Sequence, residues 1–146
     1  MSADLGPNVV VDRLERATNE HDLEAIVACF ATDYRNETPA HPLRGFVGRN
    51  QVRKNWEQIL RFVPDLTANV LRRAVDGNTV WSEWEQRGTR LDGSDHAMAG
   101  VIVFGIENGV ITWARFYLEP VSDGADIDAA VLGQVARNAP TGKDIT

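Results

Sequence analysis

Cysteine, long apolar runs and basic charge are all scarce in this sequence. Cys29 is the single cysteine, so the chain forms no internal disulfide, which is typical of a reducing, cytoplasmic location. No apolar run reaches the roughly 18 residues that span a bilayer, and no basic segment precedes an apolar one, so we expect neither a membrane span nor a signal peptide. The 15 basic and 21 acidic residues give a net charge of −6, which argues against nonspecific binding to nucleic acid or to anionic membranes.

Several motifs of well-known chemistries are also missing. The three histidines are dispersed and give no metal-ligand spacing with the single cysteine. The Gly45–Gly48 segment is neither a Walker loop nor a dinucleotide fingerprint, and no Gly-x-Ser-x-Gly elbow occurs. We therefore expect no metal, no cofactor and no nucleic-acid partner.

What the sequence does contain is a helical half followed by a strand-rich half. With 146 residues, 43% of them hydrophobic and 25% charged, the chain predicts one globular α+β domain. Apolar residues at helical spacing mark three helices before about Phe62, the second capped by Asp22 and the third lying between Gly48 and Pro64. Their buried positions are Val11, Leu14, Ala17 and Thr18; then Leu23, Ile26, Val27 and Phe30; then Val52, Trp56, Ile59, Leu60 and Val63.

Regularly spaced turn signals divide the second half into strands. Asp76-Gly77-Asn78, Asp92-Gly93-Ser94 and Glu107-Asn108-Gly109 separate four strand-like runs. These runs are predicted at about Leu66–Val75, Thr79–Arg90, Asp95–Ile106 and Val110–Val121. Because three of them exceed the usual strand length of about 5–6 residues, the sheet must twist and coil strongly.

Alternation along the strands predicts two different faces. Three-residue hairpin loops would set Trp84 opposite Ile102 and Gly100 opposite Phe116, so residues of even number share one face. The even face is apolar and should be concave, packed on the helices: Ser82, Trp84, Gln86, Gly88, His96, Met98, Gly100, Ile102, Phe104, Ala114, Phe116 and Leu118. The odd face mixes charges with aromatic residues: Trp81, Glu83, Glu85, Arg87, Val101, Val103, Trp113, Arg115, Tyr117 and Glu119.

This order of helices and strands resembles the nuclear transport factor two-like superfamily, and within it the SnoaL-like branch that includes ketosteroid isomerase and limonene epoxide hydrolase relatives. The resemblance runs from about Val9 to Val121 and rests on the segments Asn19–Leu23, Phe30–Tyr34, Gly48-Arg49, Asn108–Ile111 and Trp113–Tyr117. It implies a cone-shaped barrel, a strongly curved antiparallel sheet packed on three N-terminal helices and enclosing one pocket. Residues 1–122 would form this domain, and residues 123–146 a tail that is disordered or holds a short helix around Ile127–Ala136.

The catalytic sets of these relatives do not carry over. The positions of the ketosteroid isomerase base, oxyanion tyrosine and protonated aspartic acid hold Thr38, Leu14 and Gly100, and threonine is no base near neutral pH. Of the limonene epoxide hydrolase set, Tyr34 and Asn36 match the water-positioning pair. The positions of its arginine and two aspartates hold Trp84, Gln86 and Phe116, and those open to a polyketide cyclase aspartate hold Ala114, Phe116 and Leu118.

The remaining candidates for a site are mostly uncharged. His41, in a loop between two prolines and with Glu37 four residues before it, is the candidate acid or base. His96 falls on the even face but near a hairpin end, where we expect exposure to solvent. Candidate ligand-binding residues are Tyr34, Asn36, Thr38, Trp56, Trp84, Gln86, Met98 and Phe116, and plain core packing or a closed hydrogen-bond network is the competing interpretation of each.

Two classes of function stay open at this point. One is an enzyme on a small, mostly apolar cyclic metabolite, with isomerase, cyclase, hydrolase or dehydratase chemistry. The other is a non-catalytic module of the same fold that binds a ligand or another protein. The odd face also predicts a two-fold homodimer, because exposed aromatic residues beside complementary charges are typical of an interface. Its contact residues would be Trp81, Glu83, Glu85, Arg87, Trp113, Arg115 and Tyr117.

Overall fold

The computed structural model describes residues 6–136, which form four helices and a six-stranded sheet. Three helices come first: α1 at Pro7–Asn19, α2 at Leu23–Ala28 and α3 at Arg49–Phe62. The Asp22 carboxylate accepts a 3.1 Å hydrogen bond from the Ala25 amide and so caps α2, as the sequence predicted. The second helix ends at Ala28, two residues earlier than predicted, since Phe30 already begins the first strand.

The strands follow the turn signals closely. They are β1 at Phe30–Glu37, β2 at Phe46–Val47, β3 at Thr67–Asp76, β4 at Thr79–Thr89, β5 at Asp95–Glu107 and β6 at Val110–Pro120. A short 3₁₀ helix, Pro42–Arg44, lies between β1 and β2. The four predicted runs each match a strand to within one or two residues, whereas the two-residue β2 is too short to leave a signal in the sequence.

The sheet has the order β2-β1-β6-β5-β4-β3 and packs against the helices, which confirms the α+β fold class. It is mixed rather than wholly antiparallel, because β1 runs parallel to β6 and pairs Asn36 with Ala114. It is also open, since the edge strands β2 and β3 are not joined to each other. The closed cone expected from the sequence is therefore an open sheet packed against helices.

The register differs from the predicted one by two positions, but the faces do not change. Trp84 lies opposite Gly100, and Ile102 opposite Phe116. The β4–β5 hairpin has a five-residue loop in place of three, since its last pair is Thr89 with Asp95. The β5–β6 hairpin turns on two residues, Asn108 and Gly109, and a bulge after Gly105 restores the parity. A shift of two keeps every side chain on its side of the sheet.

The core lies between α1, α2 and the even face of the sheet. It includes Val10, Val11, Leu14, Ile26, Tyr34, Val80, Trp84, Ile102, Phe104 and Ile111. Cys29 is fully buried there, and its thiol donates to the Ala25 carbonyl at 3.4 Å. Burial raises the pKa of this thiol to about 11, so it is an unreactive packing group.

The odd face and the C-terminal segment contribute little to this core. On the odd face Val103 is buried between its neighbours, but Trp81 is 52% exposed and Tyr117 43%. After β6 the chain forms α4, Ile127–Val135, none of whose residues is buried among those described. Residues 137–146 of the tail lie outside the described part of the chain. Within residues 6–136, the helices are too short or too polar to cross a membrane.

Candidate functional site

A cavity of about 700 Å³ lies between the even face of the sheet and α3. Its volume is in the range of pockets that hold drug-sized ligands. The lining side chains come from β1, the loop before β2, β2 itself and α3. Others come from the C-terminal ends of β4 and β6 and from the N-terminal end of β5. The apolar part of the lining consists of Phe30, Leu43, Phe46, Val52, Trp56, Ile59, Met98, Phe116 and Leu118.

A buried tyrosine–asparagine pair on β1 forms the first polar group of the cavity. The Tyr34 hydroxyl donates a 2.7 Å hydrogen bond to Oδ1 of Asn36. These two residues are two apart in a strand, so both side chains lie on the same face. Burial raises the pKa of Tyr34, so the hydroxyl stays protonated and acts as a donor. Within residues 6–136 the Asn36 amide nitrogen has no protein partner, which leaves its two N–H groups for a molecule in the cavity.

A second carboxamide of the cavity, Gln86, comes from another strand of the same sheet, β4. Gln86 is only 9% exposed, yet its side-chain amide makes no hydrogen bond to any described residue. Its amide atoms are not among the fully enclosed polar atoms that lack a partner, so they are reached from the cavity and are available to a molecule there. Thr38, directly after β1, is also 9% exposed, and its hydroxyl makes no hydrogen bond to any described residue. On α3, by contrast, Gln51 and Asn55 bond to each other at 2.8 Å.

His96 is the one imidazole on the described wall of this cavity. It lies on β5 opposite Gly88, so its ring is a diagonal neighbour of Gln86 on the even face. Its Nε2 is buried and has no hydrogen-bond partner in the described part of the chain. Burial, with a smaller contribution from the Arg90 guanidinium, lowers the pKa of His96, so the ring is neutral near pH 7. The even position of His96 in β5 predicts that it lies on the inner face. Its position next to the hairpin predicts exposure to solvent, which the buried Nε2 atom does not show.

Seven of the eight candidate ligand-binding residues meet in this cavity. They are Tyr34, Asn36, Thr38, Trp56, Gln86, Met98 and Phe116. The eighth, Trp84, lies deeper in the core, where its indole N–H donates to the Ser82 hydroxyl at 2.8 Å and its ring packs edge-on against Phe104. The alternation of residues predicts which face of the sheet a side chain lies on. It does not predict whether that side chain packs against a helix or lines the cavity.

The two candidate catalytic residues lie outside this cavity. His41 Nε2 is 2.8 Å from a carboxylate oxygen of Glu119, at the end of β6. Glu37 points to the outer side of β1, where the Arg115 guanidinium donates to it at 3.3 Å. Glu37 and Arg115 line a separate, more open cavity of about 500 Å³ on that side. The two candidates therefore do not form an acid–base pair with each other.

The rim of the main cavity carries both an apolar and a charged group. Leu43, in the 3₁₀ helix, is fully exposed although it lines the opening. Arg44 lies beside it and is 3.6 Å from Glu119, so Glu119 holds both His41 and Arg44. Apart from Arg44, the described lining includes neither a carboxylate nor a permanently charged cation. Within residues 6–136, no group of three or more His, Cys, Asp or Glu side chains is arranged to hold a metal ion.

Three solved structures illustrate which folds this chain is similar to. An LEH-like epoxide hydrolase of M. tuberculosis is 18% identical, with a TM-score of 0.64 over 75% of this chain and 80% of that one. A protein of Catenulispora acidiphila with a ketosteroid isomerase-like fold, in complex with trimethylamine, is 17% identical, with a TM-score of 0.63 over 74% and 84%. A computationally designed 17-OHP binder is 20% identical, with a TM-score of 0.66 over 77% and 91%. At these identities the likeness concerns the fold alone.

Comparison of the sequence itself gives a family. No curated protein matches the chain. The family model of the SnoaL-like domain matches residues 11–114, which run from the first helix into β6 and include Asn36 and Gln86. The chain therefore belongs to the SnoaL-like domain family of the nuclear transport factor two-like superfamily.

Proposed function

We propose that this protein binds a small, uncharged and mostly apolar cyclic metabolite in the cavity between the sheet and α3. The observation that supports it most strongly is that two carboxamides, Asn36 and Gln86, line a largely apolar cavity, and neither amide nitrogen bonds a described residue. Aromatic walls accept flat or cyclic compounds, and amides recognise carbonyl or hydroxyl oxygens. A charged ligand would lose its hydration without a counter-charge deep in the cavity.

Two fluorescent probes of similar size, one neutral and one anionic, test this proposal. Prodan is a flat neutral ketone, and 8-anilinonaphthalene-1-sulfonate is an anion. We expect prodan to bind with a blue-shifted emission and at least about tenfold more tightly than the anion, because burying an unpaired charge is costly. Equal affinity for the two probes would contradict the proposal.

Matched variants locate the binding. Gln86→Leu keeps the side-chain size and removes one hydrogen bond, so prodan affinity should fall about fivefold, or roughly 1 kcal/mol. Trp56→Ala removes an aromatic wall and should weaken binding further. Trp81→Ala, on the odd face, serves as the control and should leave the affinity unchanged. If Trp81→Ala weakened binding as much as Trp56→Ala, the probe would be outside the cavity.

His96 supports a second candidate function, proton transfer on the bound compound. It is neutral near pH 7, and its buried Nε2 lacks a protein partner among the described residues. A neutral imidazole can take a proton from a carbon next to a ketone and so leave an enolate. The enolate oxygen would accept a hydrogen bond from the amide N–H groups of Asn36 or of Gln86. The proton then returns to the same or another carbon, so the reaction needs no oxidant and no further reactant.

Hydrogen–deuterium exchange at the α-carbons of 2-tetralone in D₂O separates binding from chemistry. Catalysed exchange that is lost in His96→Gln but kept in His41→Gln would support proton transfer, because His41 bonds Glu119 outside the cavity. Exchange at the buffer rate in the unmodified protein, together with tight prodan binding, would leave the protein as a binding module. The two results distinguish an enzyme from a carrier.

For the assembly we propose a two-fold homodimer through the odd face. Trp81 and Tyr117 are exposed on this face, which also carries the acidic Glu83 and Glu85 and the basic Arg87 and Arg115. A two-fold axis through such a surface places acidic groups opposite basic ones.

A further inference from the structure

The nine-residue helix α4 is apolar but has nothing to pack against in the described part of the chain. Ile127, Val131 and Val135 recur every four residues and form one stripe, each of them at least 47% exposed. Leu132 is 63% exposed, and Asp128 lies between it and Val135 around the helix, so the stripe is narrow. Helices of this length owe most of their stability to burial of an apolar side. The stripe therefore requires a partner surface.

The place where the chain leaves the sheet limits where α4 can go. Pro120 pairs with Met98, a cavity residue, and the Val121 amide donates to the Ala97 carbonyl at 2.9 Å. The helix thus starts from the cavity end of β5 and β6. Five residues, 122–126, connect Val121 to Ile127, which allows a reach of roughly 20 Å from that end.

The rim of the cavity offers a matching surface within that reach. Leu43 is fully exposed at the opening, and Glu119, one residue before Pro120, holds the loop of Leu43 through His41 and Arg44. The rim cation Arg44 also complements the acidic start of α4, where Asp126 caps the helix and Asp128 lies in its first turn. The connection is short enough for the exposed stripe of α4 to reach the exposed Leu43 at the cavity opening.

We infer that α4 is a lid that docks its Ile127–Val131–Val135 stripe on Leu43 and closes the main cavity over a bound ligand. Closure removes the apolar stripe and the apolar rim from water together. It also excludes water from the carboxamides, which strengthens their hydrogen bonds to a neutral ligand. The lid rests on the proposed binding function only for its purpose, because its docking is measurable without any ligand.

Cross-linking between engineered cysteines measures the docking directly. The full-length variant Leu43→Cys/Val131→Cys is treated with bismaleimidoethane and compared with Leu43→Cys/Ala129→Cys, which places the second thiol on the opposite side of α4. Cys29 is buried with a pKa raised to about 11, so it does not react. We expect an intramolecular product at least about fivefold more abundant with residue 131 than with residue 129.

Each other outcome overturns the lid. Equal yields for the two pairs would mean that the stripe does not face the rim. A product of twice the chain mass would mean that α4 docks on a second copy. No product in either pair would mean that α4 stays away from the cavity, and this would hold whether or not prodan binds.

A kinetic measurement adds the effect on the ligand. Val131→Asp should speed prodan dissociation by about tenfold, because a charge on the stripe prevents docking and most affinity changes act on dissociation. Ala129→Asp adds the same charge on the other side of the helix and should dissociate like the unmodified protein. Equal dissociation rates for Val131→Asp and the unmodified protein would overturn the role of α4 as a lid, even with prodan bound.

Discussion

The Tyr34 hydroxyl and the Asn36 carbonyl oxygen are 2.7 Å apart, and this hydrogen bond fixes which end of the Asn36 amide faces the cavity. The hydroxyl must be the donor, since an amide oxygen only accepts. The Asn36 N–H groups are thereby turned towards the ligand space. On β1 the Asn36 amide therefore presents hydrogen-bond donors to the cavity, which suit a ligand with a carbonyl or hydroxyl oxygen.

Loss of this hydrogen bond should destabilise the protein. Tyr34→Phe leaves the packing intact but deprives the Asn36 oxygen of its donor, so the free energy of unfolding should fall by about 1 kcal/mol. Urea denaturation followed by circular dichroism measures it. Tyr117→Phe is the matched control, since this tyrosine is exposed, and it should change stability by less than about 0.5 kcal/mol. Equal losses would show that the Tyr34–Asn36 bond contributes nothing.

Titration of His96 should make the folded protein less stable at acidic pH. Burial lowers its pKa below the ordinary 6.5, so the unfolded chain binds this proton more readily than the folded one. The free energy of unfolding should therefore decrease as the pH falls from about 7.5 to about 5.5, through the ordinary pKa and towards the lowered one. His96→Gln should remove this part of the slope, which the difference between the two proteins isolates. An identical slope in both, or an NMR titration midpoint of His96 at or above 6.5, would contradict the assignment.

Glycine is required at position 100 in the middle of β5. Its φ of +148° is rarely adopted by other residues, and an added Cβ would overlap the Tyr117 carbonyl oxygen of β6. Gly100→Ala should lower the free energy of unfolding by about 1–3 kcal/mol. Gly133→Ala, where a Cβ would meet no atom within 4 Å, is the control and should leave stability unchanged or slightly raised. Comparable stability of the two variants in thermal denaturation would contradict the strain at Gly100.

A charge in the centre of the odd face should prevent the proposed dimer. In sedimentation equilibrium the unmodified protein should have twice the 16.1 kDa mass of the chain. Trp81→Arg should reduce this to the mass of one chain, because two guanidinium groups meet near the two-fold axis. Leu91→Arg changes a residue that is also exposed but lies in the β4–β5 loop, away from the face, and should remain dimeric. A single-chain mass for the unmodified protein would exclude this assembly.

The sequence predicted local features of the fold better than distant contacts. Turn residues and alternation determined the strands and their faces, because both act between near neighbours in the chain. The exact register depended on a bulge after Gly105 and on a five-residue hairpin loop, which alternation does not reveal. The parallel pairing of β1 with β6 was not anticipated either.

The candidate site shows the same division. Residues predicted from their face, such as Gln86 and Met98, line the cavity. His41 and Glu37 instead bond Glu119 and Arg115, each 78 residues away in the sequence, and no local pattern announces such partners. His96 lies on the predicted face and lines the cavity, although its position next to the hairpin favours exposure.

The parallel pairing of β1 with β6 also constrains the order in which the molecule folds. Glu37 and Arg115 are 78 residues apart, so β1 has no sheet neighbour on that side until almost the whole domain has left the ribosome. Closing so long a loop is entropically costly, and sheets with distant pairings form slowly. The β3–β6 meander can assemble from adjacent hairpins first. The wall that carries Tyr34 and Asn36 is then the last part of the cavity to form.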